Sequence, residues 1–382
     1  MTGPGSPFAR TITALRDPSS TYARRLAASG GLDLDIGEVR FPLPEPVLDE
    51  LTGALGKSLG RPWYSPPQGQ DGLRANYFAQ IERPANAGPV EVMVTAGGKE
   101  AAWLAVGYAV DMRCIARAAV PRPGWEPYSL WLSAAGCPVT TYDPLRLAAE
   151  PDYLTQLAAE AGPALGLLVI NYPHNPTGAW MDQAGYDRLM DLAGELQIAV
   201  VSDEVYRAFA PKPASVLTSP GFDPAKDIVV DSCSKSLAAA GLRVGFLTGG
   251  RHTVADLVLY RSSYASCTSV LTQTAAATLL SGPAATAWLT DVRTRVAADR
   301  QAVAARLTDA GVKVTSHGGL YLWCQVPDPD DLAGTDTTDR ASLAEGAGFG
   351  AKDHVRICTA RAGLDPETAA RAIVASLRER KR

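Results

Sequence analysis

Apolar and polar positions divide the chain into short apolar runs separated by helical stretches. Residues 92–95 (Val-Met-Val-Thr) read as a short buried strand. It runs into Ala96-Gly97-Gly98-Lys99-Glu100, and an alanine-rich helix follows to about Val110. Further apolar runs at 117–121, 137–142, 165–172, 198–202, 227–231 and 244–248 alternate with helical stretches. Leu167-Leu168-Val169-Ile170 is apolar at every position, which suits a strand covered on both faces. The pattern therefore predicts a mostly parallel α/β sheet, in which ligands bind at the carboxyl ends of the strands.

The ends of the chain read differently. The N-terminal arm carries one helix over Ser20–Ala28, and Leu32 to Glu38 alternates like a strand. Phe41-Pro42-Leu43-Pro44 stops that strand and launches a helix through Val47-Leu48-Asp49-Glu50-Leu51. From Pro283 onward the pattern predicts a long helix (Trp288 to Leu307), strands at 312–314, 320–326 and 354–359, and a final helix from Asp365 to Glu379. This gives a large α/β domain over 46–282. A smaller α+β domain is built from 283–382 and part of the arm, 1–45.

Composition narrows the functional classes. The 382 residues are 46% hydrophobic and 20% charged, with a net charge of −4, an ordinary balance for a globular enzyme. That charge argues against nucleic-acid and anionic-membrane partners. No apolar run reaches the roughly 18 to 20 residues of a membrane span, and Met1 to Arg10 lacks the apolar core of a signal peptide. A cytoplasmic protein is expected. The six cysteines are scattered, without a C-x-x-C pair or a histidine at ligand spacing, so neither disulfide nor bound metal is expected. Cys233, although beside Lys235, reads as a packing residue.

Candidate chemistry concentrates at Asp231-Ser232-Cys233-Ser234-Lys235. A lysine directly after the apolar run 228–230 is poorly placed for solvent and well placed to form a Schiff base, because burial lowers its pKa. The aldehyde this suggests is pyridoxal phosphate. Ser232, Ser234 and Arg243 are donors suited to its phosphate. A lone S-x-S-K more often marks a solvated lysine, so the reading needs further partners. The strand, Gly97-Gly98 turn and helix at 92–110 supply backbone N–H groups for an anion. Rigid loops follow other strands: Pro123-Gly124-Trp125-Glu126-Pro127-Tyr128 and Asn171-Tyr172-Pro173-His174-Asn175-Pro176-Thr177-Gly178, with Asp203-Glu204-Val205-Tyr206 after a third.

N-P-T-G at 175–178, S-D-E-V-Y at 202–206, S-C-S-K at 232–235 with Gly241-Leu242-Arg243-Val244-Gly245, and V-R-I at 355–357 occur in one order along most of the chain. Together they resemble the fold type I pyridoxal phosphate enzymes of the class I/II aminotransferase family. The resemblance implies a large domain with a seven-stranded sheet flanked by helices, and a homodimer with shared active sites. It gives Asp203 the ring nitrogen, and Tyr206 and Asn175 the ring oxygen. Trp125 takes the ring face, and Gly98, Lys99, Ser232, Ser234 and Arg243 the phosphate. The resemblance takes Tyr64 to the phosphate of the neighbouring subunit and gives Arg356 the substrate carboxylate. Gly37, read from its own place in the strand, either lets substrate approach the backbone closely or makes a simple bend. Lys235 is both the Schiff-base residue and the proton-transfer base.

The resemblance implies transfer of an amino group between an amino acid and a 2-oxo acid. A pyridoxal phosphate-dependent lyase, cyclase, replacement enzyme or oxidase of specialised biosynthesis would use the same residues. A transcription regulator on this fold would need a DNA-binding domain ahead of Gly37, for which the chain leaves too little room. The chain also departs from the family pattern between 328 and 345, where a helix and a strand reduce to a short polar segment. Arg40, where the family often has an acidic residue, reads as a surface arginine with substrate side-chain recognition as the alternative.

Overall fold

A computed structural model describes residues 12, 31–81, 89–315, 317–326 and 339–379. The helix expected over Ser20–Ala28 lies outside these residues, as does 327–338.

The described chain has thirteen strands. They are β1 (Leu32–Asp33), β2 (Val90–Thr95), β3 (Arg117–Pro121), β4 (Val139–Tyr142), β5 (Leu165–Asn171), β6 (Ala199–Asp203), β7 (Ile228–Ser232), β8 (Gly245–Gly250), β9 (Val314–Thr315), β10 (Tyr321–Gln325), β11 (Ala341–Ser342), β12 (Ala344–Glu345) and β13 (His354–Cys358). Seven form one sheet in the order β2-β8-β7-β6-β5-β3-β4. Only β8 runs against its neighbours, so the sheet is mostly parallel as expected. Strand β5 explains why its run is unbroken. Leu168 and Ile170 enter the core on one face of the sheet and Leu167 and Val169 the core on the other, and all four are fully buried.

A second, four-stranded antiparallel sheet, β12-β13-β10-β9, packs with the final helix, Pro366–Glu379. The strand signal at 32–38 is shorter than its alternation suggested. Only Leu32–Asp33 is strand, pairing in parallel with Ala341–Ser342, and Leu34 is buried in the second sheet's core beside Val355 and Ile357. The segment read as merely polar before 346 therefore holds two strands, β11 and β12. Each has two residues, too few to leave a periodicity. The 27-residue helix Pro283–Asp309 joins the two parts, with Leu289 in the first core and Val303 and Leu307 in the core of the second sheet.

Gly245, where β8 begins, packs directly on the glycine turn after β2. A side-chain carbon there would lie 2.6 Å from the Gly98 nitrogen and would collide with the Gly97 backbone. Backbone atoms cannot rotate aside as a side chain can. Gly245→Ala is therefore expected to destabilise the protein by about 1–3 kcal/mol, the usual range for overpacking, and to lower its urea midpoint. A midpoint equal to wild type would show that this contact is not a constraint.

Candidate active site

A cavity of about 340 Å³ opens at the carboxyl ends of β5, β6 and β7, between the large sheet and residues of β10 and β13. Gly37, Gly98, Lys99, Trp125, Asn175, Asp203, Tyr206, Ser232, Ser234, Lys235, Arg243 and Arg356 all line it. Tyr64 does not, being 88% exposed on this single chain. Arg40 also lies outside the lining and pairs with Asp33 at 2.6 Å and Glu38 at 2.9 Å.

One part of the cavity is a cup of donors. Gly97, at φ +86°, turns the chain into the helix Gly98–Met112, whose first N–H groups face outward. The Gly98 N–H donates to Ser232 Oγ at 3.3 Å, and Ser232 Oγ donates to Ser234 Oγ at 2.9 Å. Arg243 sits in the left-handed region at φ +53°, and its Nη1 donates to Ser234 Oγ at 3.3 Å. A Cβ on Gly97 would push that guanidinium aside, and the φ of +86° itself favours glycine. A helix N-terminus, two hydroxyls and a fixed positive charge make an anion site.

Two titratable groups lie deeper. Asp203, at the end of β6, accepts from the Tyr128 hydroxyl and, at 3.2 Å, from the Val205 N–H. Burial raises its pKa to about 6, and those two donors restrain the rise. Lys235 occupies the single turn Cys233–Ser236 after β7, and its Nζ donates to the Gly37 carbonyl. Burial lowers its pKa to about 8. The Tyr206 and Tyr321 hydroxyls share a 2.8 Å hydrogen bond, and burial keeps the Tyr206 phenol protonated.

Arg356 projects from β13. Its Nη1 donates to Asn175 Oδ1 at 2.8 Å and its Nη2 to the Asp35 carbonyl at 2.6 Å. The guanidinium carbon lies 4.4 Å from the Tyr321 ring centroid and 4.9 Å from that of Phe349, so cation–π contacts hold it. Its buried Nε has no hydrogen-bond partner. Asn175 is itself positioned by Asn171, whose Oδ1 accepts the Asn175 N–H at 2.9 Å.

A family model described as aminotransferase class I and II matches residues 29–375. The chain belongs to the class I and II aminotransferases. Among its relatives, an aromatic-amino-acid aminotransferase of Thermococcus litoralis is 28% identical over 309 residues, covering 78% of this chain and 77% of that one. An aspartate aminotransferase of Pyrococcus abyssi is 27% identical, with 92% of each chain covered. The fold is that of a Thermus thermophilus aspartate aminotransferase double mutant, with a TM-score of 0.76, 24% identity and 94% of each chain covered. The protein is thus an aminotransferase of a pyridoxal phosphate-dependent family.

The donor set of this aminotransferase fits that cofactor. The anion cup suits a phosphate, and a buried amine with a pKa near 8 suits an aldehyde. Eight lining residues had no assigned role in the sequence, and four of them, Tyr128, Asn171, Tyr321 and Phe349, bring an aromatic ring or a polar side chain against the site residues. Tyr128 sits three residues after Trp125 on one turn, and Asn171 ends an apolar run, so both had a local signal. Tyr321 did not, because its contacts with Arg356 and Tyr206 join distant segments, and Phe349 has meaning only through the packing of its ring against Arg356. Tyr321 also accounts for Gly37, where a Cβ would collide with the tyrosine hydroxyl.

The raised pKa of Asp203 has a thermodynamic consequence in the cofactor-free aminotransferase. Between the unfolded value of 3.8 and the folded value of about 6, the folded chain holds the proton more tightly. Stability is therefore lost as pH rises through that window. Asp203→Asn removes this loss. At pH 8 the cofactor-free variant is expected to be more stable than wild type by about 1–3 kcal/mol, with the difference gone near pH 4. Urea unfolding at both pH values measures it, and equal stability at pH 8 would contradict the raised pKa.

Proposed function

We propose that this cavity holds pyridoxal phosphate and is where the aminotransferase moves an amino group between an amino acid and a 2-oxo acid. The observation that carries the reading is one buried amine, Lys235, sharing a single cavity with an anion cup and a separate guanidinium, Arg356. When bound, pyridoxal phosphate supplies an aldehyde for the amino group and a ring that draws electrons from the adjoining carbon.

The chain's own residues do the rest. The N–H groups of Gly98 and Lys99, the Ser232 and Ser234 hydroxyls and Arg243 hold the phosphate. Trp125 packs on the ring. Asp203, ionised above pH 6, holds a proton on the ring nitrogen. Tyr206 and Asn175 bond the ring oxygen. Lys235 would hold the aldehyde carbon and, as a free amine, would carry the proton at the substrate's α-carbon. An amine with a pKa near 8 is partly neutral at working pH and suits both tasks. Arg356, steadied by Tyr321, Phe349 and Asn175, binds the α-carboxylate, and Gly37 leaves space beside it.

Tyr64 belongs to the phosphate site of a second subunit, which makes the working form a homodimer with shared sites. Its exposure supports this, as does exposure of Trp63 and of the aromatic cluster Trp103, Tyr260 and Tyr264. The chain divides into an arm (1–45), a cofactor-binding domain (46–282) and a small domain (283–382). All six cysteines are free, which suits a cytoplasmic setting. Among the described residues no helix is long and apolar enough to cross a membrane.

Borohydride reduction of the loaded enzyme followed by peptide mapping is expected to tag Lys235, and a tag on Lys99 instead would sink that role. An amino donor alone should yield one equivalent of 2-oxo acid per site and then stop until another 2-oxo acid is added. Sustained turnover without an added oxo acid would favour a lyase, cyclase or oxidase.

Mixing inactive Tyr64→Ala with inactive Lys235→Ala subunits should restore one working site per mixed dimer. Demonstrated exchange without recovered activity would rule out site sharing.

A further inference from the structure

The turn that carries Lys235 has a second cavity on its other side, of about 310 Å³. Ser232 faces the first cavity and Asp231 the second. Tyr206 lines the first and Arg207 the second, and after Lys235 the chain passes Ser236 and Leu237 into the second. The same short segments thus present alternate side chains to two separate spaces.

Part of this second lining is apolar. Tyr77 stacks on Phe246 with ring centroids 4.1 Å apart and planes 14° apart, and Leu279 and Leu289 adjoin them. The charged part consists of Arg207, Asp231 and Arg293. Arg207 is balanced, since its Nη2 donates to Asp231 at 3.0 Å and its Nε lies 3.7 Å from the buried Glu204 carboxylate. Arg293, from the helix Pro283–Asp309, is not. Among the described residues no carboxylate forms an ion pair with it. Its Nη2 donates to the Ser236 carbonyl at 3.3 Å, and its Nε is buried without a partner. Burial, followed by the nearby charge of Arg207, disfavours its protonated form.

A half-buried guanidinium beside another guanidinium, without an anion of its own, is an electrostatic deficit that a bound anion relieves. With Arg207 matched by Asp231 and Glu204, Arg293 is the one lining cation without an ion pair among the described residues, which favours a monoanion over a phosphate dianion. The stacked rings and leucines favour a ligand with an apolar body. We propose that this cavity is a second ligand site, for a small monocarboxylate with an apolar, ring-sized body, seated with its carboxylate on Arg293. Arg293 otherwise holds the carbonyl next to Lys235, so an occupant exchanges that bond and acts on the Lys235 turn from behind. The inference does not rest on the roles assigned to the first cavity.

The probe is 3-phenylpropionate, which has neither an amino nor an oxo group and cannot react. Because Arg356 also takes carboxylates, the cofactor-loaded Arg356→Met protein is titrated by calorimetry, with thermal unfolding confirming that each variant is folded. One site per chain is expected to remain. Adding Arg293→Met should weaken it about 10- to 100-fold, the range for losing a charge-assisted hydrogen bond. Adding Thr286→Trp, which fills the cavity from an exposed lining position, should abolish it. Absence of binding in Arg356→Met, or binding that survives either added change, overturns the proposal. If Arg356→Met does not fold, wild type and Thr286→Trp are compared instead. Loss of one site in Thr286→Trp supports the proposal, and an unchanged count overturns it.

Discussion

The contact of Gly245 with Gly97 and Gly98 is the constraint on which the site depends. It brings the start of β8, two residues past Arg243, against the glycine turn that opens the helix Gly98–Met112. Helix N-terminus, serine hydroxyls and guanidinium thereby face one volume. From β8 the spacing passes along the sheet by hydrogen bonding, to β7 and the Lys235 turn, then to β6 and Asp203. Groups that must meet one small molecule are therefore set by backbone ladders, which hold geometry more tightly than loops do.

The same compaction sets the charge states. Asp203, Glu204 and Asp231 are all buried, and desolvation raises the pKa of each. Arg207 sits between Glu204 and Asp231 and opposes that rise, whereas Asp203 leans on a tyrosine hydroxyl and a backbone N–H. The carboxyl with neutral partners is thus the one left open to a cationic ligand. Lys235 shows the opposite sign of the same effect, an ammonium made easier to deprotonate by loss of water. A site tuned in this way works against the stability of the empty fold.

The large sheet was legible because its inner strands β5, β6 and β7 carry contiguous apolar runs, 167–170, 199–201 and 228–230, whose burial on both faces removes alternation. The cup, Lys235 and Asp203 were legible because each stands at the end of such a run. Strands β11 and β12 were not legible, since two residues carry no period and their pairing depends on Leu32 and Val355 far away. Tyr321 was not legible either. Nothing local distinguishes it from another core aromatic in β10, and its meaning comes from Tyr206, Gly37 and Arg356 converging on its ring and hydroxyl.

The parallel pairing of Leu32 with Ala341 bears on the order in which the molecule is made. Every strand of the large sheet has left the ribosome by Gly250, and that sheet can assemble as synthesis continues. The second core cannot. Leu34 must wait for Val355, Ile357 and Ile373, which lie more than three hundred residues further along the chain. Residues 32–34 are thus among the first described segments synthesised and among the last to find their partners. Until those partners are made, Leu32 and Leu34 stand without cover, a natural point of contact for a chaperone. Arg356 joins the cavity only at that final closure, so a truncated chain can build the anion cup and still lack the second guanidinium.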